Sequence, residues 1–158
     1  MGQTKVNYNE LLAILQSLLA GETDPIANMA NTSAVLFEHL PDINWAGFYI
    51  VRNGELVLGP FQGKPACVRI AFGKGVCGTA AQTGRTQRID DVHQFAGHIA
   101  CDSASNSEIV IPLFHEGNVW GVLDIDSPLQ ARFTAKDQSF LEQVAALLNK
   151  CCFLQKAQ

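Results

Sequence analysis

Three cysteines in the middle of the chain, Cys67, Cys77 and Cys101, have the type and setting that allow chemistry. Cys77 lies in the glycine-rich GKGVCG, a turn leading into a short helix. Cys101 precedes the polar Asp102, Ser103, Ser105 and Asn106. Partly exposed positions of this kind are where a thiol can react. Three readings stay open on the residues alone: redox or nucleophilic chemistry, metal ligation, or three unrelated structural cysteines. Zinc is the weakest of them. His93 and His98 lie near Cys101, but there is no C-x-x-C pair, and cysteines at 67, 77 and 101 match no common zinc pattern. Cys151 and Cys152 fall on the apolar side of a C-terminal helix and read as small buried hydrophobes.

Asp124 and Asp126, in GVLDIDSP, form the second constellation. In a strand they project from one face, roughly 6 to 7 Å apart. Two such carboxylates repel each other unless a cation or a donor joins them. Trp45 and Tyr49 share a strand face in NWAGFYIV and either wall a pocket for a flat or apolar group or serve as core aromatics. Glu108 opens the strand after the Cys101 loop. A simple two-residue turn at Glu116-Gly117 would pair Ile109 with Asp124 and turn Glu108 away from the aspartates. Pro112 signals a bulge that would change this, so the residues leave the register open. GKGVCG is no phosphate loop, because it lacks G-x-x-x-x-G-K-[ST].

These residues need a scaffold. Asn7 caps a first helix, with Glu10 in capping-box position and Leu11, Leu12, Leu15, Leu18 and Leu19 as its apolar stripe; Gly21 stops it. A second helix starts at Asp24-Pro25 and runs to about Leu40, where Pro41 blocks it. Asn53-Gly54 between two β-like runs predicts a hairpin. CVRIAF (67–72) and TQRIDD are short strands around a helix from Gly78 to Gln82. Residues 91–107 form a long loop. Strands over Glu108–Phe114 and Val119–Asp126 follow, and Thr134 with Asp137 opens a last helix with Phe140, Leu141, Val144, Leu147 and Leu148 buried. The order predicts an α+β domain spanning 1–158: a central antiparallel sheet, the N-terminal helix pair and the C-terminal helix on one side, and a loop-rich excursion on the other.

The chain has 158 residues, enough for one domain to bury a core without metals or disulfides. Its formal charge of −4 argues against a nucleic-acid or anionic-membrane partner. No apolar stretch is long enough to span a bilayer. Five cysteines, an odd number, argue against a structural disulfide framework. Together these features predict a cytoplasmic protein.

NWAGFY, LVLGPFQGKPACVRI, GKGVCGTA, HIACDSASNSEIVIPL and GVLDIDSP together closely resemble the free methionine-(R)-sulfoxide reductase family, which is built on a GAF domain. The likeness runs from about Tyr8 to Leu148. It implies an enzyme that uses no cofactor and draws electrons from thioredoxin or a similar dithiol. By the matching motifs Cys101 attacks the sulfoxide sulfur, Cys67 resolves the sulfenic acid as a disulfide, and Cys77 is an auxiliary thiol. The resemblance, and not the residues alone, separates Cys101 from Cys77. It also gives the carboxylates work: Asp124 and Asp126 hold the α-ammonium of free methionine sulfoxide, and Glu108 serves as the acid. Trp45 and Tyr49 cover the S-methyl end. It further implies a homodimer through the exposed parts of the first two helices. The competing expectation is a non-catalytic GAF module that senses a small molecule or redox state, since the fold alone permits it.

Overall fold

The computed structural model describes residues 5–97 and 104–151. Two helices come first, α1 (Tyr8–Leu19) and α2 (Pro25–His39). The hairpin β1 (Trp45–Arg52) and β2 (Glu55–Gly63) follows, then β3 (Arg69–Ala71), α3 (Gly75–Thr83) and β4 (Gln87–Ile89). A 3₁₀ turn at Val92–Gln94 leads to β5 (Ser107–His115), β6 (Asn118–Ser127) and α4 (Ala135–Cys151). The strands form one antiparallel sheet in the order β3-β2-β1-β6-β5-β4. The chain's central strand β6 therefore lies between β1 and β5, next to both.

Local signals set most boundaries. Asn7 Oδ1 accepts from the Glu10 N–H at 3.1 Å, and Asp24 Oδ1 accepts from the Ala27 N–H at 3.0 Å. Thr134 and Asp137 cap α4 reciprocally: Thr134 Oγ1 accepts from the Asp137 N–H at 3.2 Å, and Asp137 Oδ2 accepts from the Thr134 N–H at 2.7 Å. Asn53 and Gly54 take φ of 52° and 80°, the left-handed pair that a tight hairpin turn requires.

The two faces of the sheet carry separate cores. On one face α1, α2 and α4 pack Leu15, Leu36, Leu141 and Val144 against Phe48, Ile109, Leu123 and Ile125. Each of these large side chains contributes roughly 1.5–3 kcal/mol by leaving water. The other face carries Trp45, Tyr49, Leu56, Val110 and Val122 under α3. The predicted alternation in β1 is the cause: Ala46 and Phe48 point to the three helices, Trp45 and Tyr49 to α3.

Three details differ from the sequence reading. Leu18 is exposed at 43 %, while Leu11, Leu15 and Leu19 carry the buried stripe of α1. The helix in the glycine-rich stretch begins at Gly75, so Cys77 sits inside it and not in the preceding turn. Close approach makes this possible: a Cβ on Gly78 would stand 2.4 Å from the Ala71 carbonyl oxygen, so only glycine lets α3 lie this near β3. The third difference is a bulge in the β5–β6 hairpin, at Trp120 and not at Pro112. Phe114 pairs with Val119 and Leu113 with Gly121, so Trp120 is the extra residue of the bulge. Among the described residues no helix is long and apolar enough to cross a membrane.

Candidate active site

The bulge sets the chemistry of the α3-facing surface. It shifts β5 by one residue against β6, so Glu108 lies opposite Asp126 and Val110 opposite Asp124. A one-residue slip in a strand moves a side chain to the other face. Glu108 therefore points at the aspartates, opposite to the geometry of the simple turn. On the other flank of β6, Trp45 pairs with Asp126 and Gly47 with Asp124. Gly47 has no room for a side chain, since a Cβ there would stand 2.2 Å from the Cβ of Phe61.

One cavity collects these groups. Trp45, Tyr49, Glu108, Asp124 and Asp126 form its floor, and Cys77 with Gly75 and Val76 at the start of α3 forms its roof. Pro65 and Ala66 close one side, Val92 and Ser105 another. Its free space is about 50 Å³, room for a few water molecules. Cys101 lies outside the described residues.

Burial and crowding keep the carboxyls from ionising freely. Asp124 is 5 % exposed, and its pKa is pushed up to about 8, first by burial and then by the charge of Asp126; hydrogen bonds from Glu108 and the Cys77 thiol pull the other way. Glu108 is raised well above the ordinary carboxyl range, by burial first and then by Asp124, against a hydrogen bond from Asp126. Asp124 Oδ1 is buried with no hydrogen-bond partner among the described residues. Such a group calls for a donor or cation from a ligand.

The thiols are now distinguishable on physical grounds. Cys77 is 5 % exposed and a free thiol, not the partly exposed one its loop-like sequence suggested. Burial, and then the charges of Asp124, Glu108 and Asp126, raise its pKa well above the usual value. The thiolate is the nucleophile, so this setting disfavours attack by Cys77. Cys67 is half-buried and disulfide-bonded. Cys151 is a half-buried free thiol packed on the apolar core, and Cys152 lies outside the described residues.

Trp45 and Tyr49 do more than wall the cavity. Trp45 stacks on Phe61 at 5.1 Å and lies 6.1 Å from the Tyr49 ring. Its Nε1–H donates to the Lys64 carbonyl at 3.1 Å, and the Tyr49 hydroxyl donates to the Cys67 carbonyl at 2.8 Å. The two aromatics thus tie the segment 64–67 to the acidic floor. The sequence reading missed Lys74 and Ser105, which also line the cavity. Ser105 Oγ accepts a hydrogen bond from Asn44 Nδ2 at 3.3 Å. Lys74 stands beside Cys77 in GKGVCG, where the glycines drew notice and the cation did not.

This geometry meets known proteins at two levels. The GAF domain model matches residues 15–151. A free methionine-R-sulfoxide reductase of Escherichia coli is 58% identical over 143 residues, covering 90% of this chain and 87% of the relative. The chain belongs to the free methionine-R-sulfoxide reductase family. The reduced form of fRMsr of Staphylococcus aureus superimposes with a TM-score of 0.91 at 50% identity, covering 95% of this chain and 98% of that one. The free methionine-R-sulfoxide reductase of Neisseria meningitidis, solved with its substrate, gives 0.90 at 47% identity, covering 95% and 90%. For this family the acidic cavity is the feature of the present chain that a plain GAF fold does not require.

Proposed function

We propose that this chain reduces free methionine (R)-sulfoxide to methionine, with Cys101 as the attacking thiol. The observation that carries the reading is the convergence of Glu108, Asp124 and Asp126 in one cavity beside the disulfide-bonded Cys67. The membership of the family supports it. Cys77 and Cys151 are free thiols, and the family motif gives Cys101 as the thiol that pairs with Cys67.

The residues divide the work as follows. The α-ammonium of the substrate sits between Asp124 and Asp126 and supplies the charge that their mutual repulsion and the unpartnered Asp124 Oδ1 call for. The S-methyl end lies against the Trp45 and Tyr49 rings, where sulfur and aromatic carbon attract. Glu108, held protonated by its buried site, donates to the sulfoxide oxygen. The Cys101 thiolate attacks the substrate sulfur to form an S–S bond, and the protonated oxygen leaves as water as the S–O bond breaks. Water then adds to the Cys101 sulfur, the S–S bond breaks with its electron pair going to methionine, a proton is released, and Cys101 is left as a sulfenic acid. The Cys67 thiol displaces water from it to form a disulfide. A thioredoxin-type dithiol then reduces that disulfide and is itself oxidised, in a reducing compartment such as the cytoplasm. Cys77 stays protonated through these steps and acts as a reserve thiol. With separated epimers, thioredoxin, its reductase and NADPH, NADPH consumption is expected with the free R-sulfoxide and not with the S form; no consumption with the R form overturns the reading.

Tyr49→Phe tests the tie to Cys67. It keeps the ring and removes one hydrogen bond to the Cys67 carbonyl, worth about 0.5–1.5 kcal/mol, or roughly 2–10-fold in a rate that depends on it. In a single turnover, methionine release is expected to stay within a factor of two. Disulfide formation, followed by mass spectrometry of alkylated samples, slows by that 2–10-fold factor. Slower methionine release with normal disulfide closure would instead place the hydroxyl on the substrate.

A further inference from the structure

The roof and floor of the cavity together carry a donor set that the reduction does not use as a unit. Cys77 Sγ and one carboxylate oxygen each from Glu108 and Asp124 lie within 4.8 Å of one another, and all three residues are buried. Among the described residues Asp124 Oδ1 has no hydrogen-bond partner, although Asp124 is only 5 % exposed and lines the cavity. The three groups come from separate elements, α3, β5 and β6, held together by the Gly78 approach and the Trp120 bulge. We propose that Cys77, Glu108 and Asp124 form a binding site for one thiophilic divalent cation of the zinc class, and that the bound cation shuts the enzyme off by occupying the seat of the substrate ammonium.

The chemistry of the donors selects the ion. One thiolate and two carboxylates suit zinc or cadmium, which accept sulfur and oxygen together. Magnesium and calcium require oxygen shells and gain nothing from the thiol. Binding replaces protons: the cation takes the thiolate and the carboxylates, and the displaced protons go to solvent, so no oxidant or reductant takes part. A doubly charged ion also relieves the crowding of Glu108, Asp124 and Asp126 that an ammonium relieves with one charge. The cation is an inhibitor and has no part in the reduction. Its competition with substrate rests on the reading given above; its binding does not.

The two claims separate in one experiment. Cadmium is titrated into the oxidised protein, with the Cys67 disulfide intact and no thiol in the buffer, while the thiolate-to-metal charge-transfer absorption is followed. One equivalent should produce the band, and a large excess of magnesium should leave it unchanged. Cys77→Ser should abolish it, the double variant Cys67→Ser/Cys101→Ser should keep it, and Asp124→Asn, which retains the thiol, should weaken cadmium binding at least tenfold. Absence of a band in the parent protein, survival of the band in Cys77→Ser, or full affinity in Asp124→Asn overturns the site. In turnover assays cadmium should raise KM for the free sulfoxide without lowering kcat. A confirmed band without such competition leaves the metal site standing and refutes the placement of the ammonium.

Discussion

Cys101→Ser is expected to lower turnover of free methionine (R)-sulfoxide at least about a thousandfold, because it removes the proposed attacking thiol. Cys77 is the only other free thiol among the described residues that faces the cavity, and its buried acidic setting keeps it protonated. Cys67→Ser should behave differently. Its Cys101 remains able to attack, so a burst of about one methionine per chain is released. Turnover then stalls, because the sulfenic acid has lost the thiol that resolves it. Cys77→Ser should keep both the burst and the closure of the Cys67 disulfide. Rapid-quench measurement of methionine against enzyme concentration, with dimedone labelling to trap the sulfenic acid, checks all three. A full burst in Cys101→Ser with none in Cys77→Ser would exchange their roles.

Asp124→Asn is expected to make the protein more stable and less active. The sign follows from the titration. Asp124 moves from an ordinary 3.8 to about 8 in the folded chain. Between those values the native state holds a proton that the unfolded state releases. The contribution of this group is therefore fully present below about pH 4 and is lost as pH rises toward 8. Wild-type thermal stability should fall across that window in the absence of ligand, and the asparagine variant should fall less. Its amide keeps an acceptor and can donate to Glu108 without carrying charge. A recovery of 1–2 kcal/mol near pH 8 corresponds to a gain of roughly 3–6 °C in Tm for a chain of this size. Loss of a charge-assisted contact to the substrate ammonium, about 1.5–3 kcal/mol, lowers kcat/KM roughly 10–150-fold. Calorimetry at pH 5 and pH 8, with kinetics on the same samples, checks both halves. A variant that melts below wild type at pH 8, or that keeps wild-type kcat/KM, contradicts the assignment of Asp124.

Most of the scaffold was legible because local chemistry fixes it. Asn7, Asp24 and Thr134 cap where their side chains predict, and Asn53-Gly54 turns as its pair requires. The alternation in β1 placed Trp45 and Tyr49 on one face before any register was known. Glu108 was not legible, because its direction depends on a single extra residue in β6. That residue is fixed from far away: Asn149 Oδ1 on α4 accepts from the Phe114 N–H at 2.9 Å and from Trp120 Nε1 at 3.1 Å, holding both partners of the bulge. A pairing rule confined to the hairpin cannot contain a contact with α4. Cys77 was misplaced for a similar reason. Its glycine neighbours signal a turn, yet Gly78 serves a close helix–strand approach that buries the thiol. The convergence of three carboxyls is thus a tertiary fact, although each of them was visible in the sequence.

The central claim is that Asp124 and Asp126 hold a free α-ammonium beside a reactive cysteine, with Glu108 donating to the sulfoxide oxygen. Comparing the free R-sulfoxide with its N-acetyl derivative under identical conditions tests this most directly, since acetylation removes the positive charge and leaves the sulfoxide intact. A kcat/KM for the N-acetyl compound at least a hundredfold lower is the expected result, and comparable rates on both compounds would contradict the account.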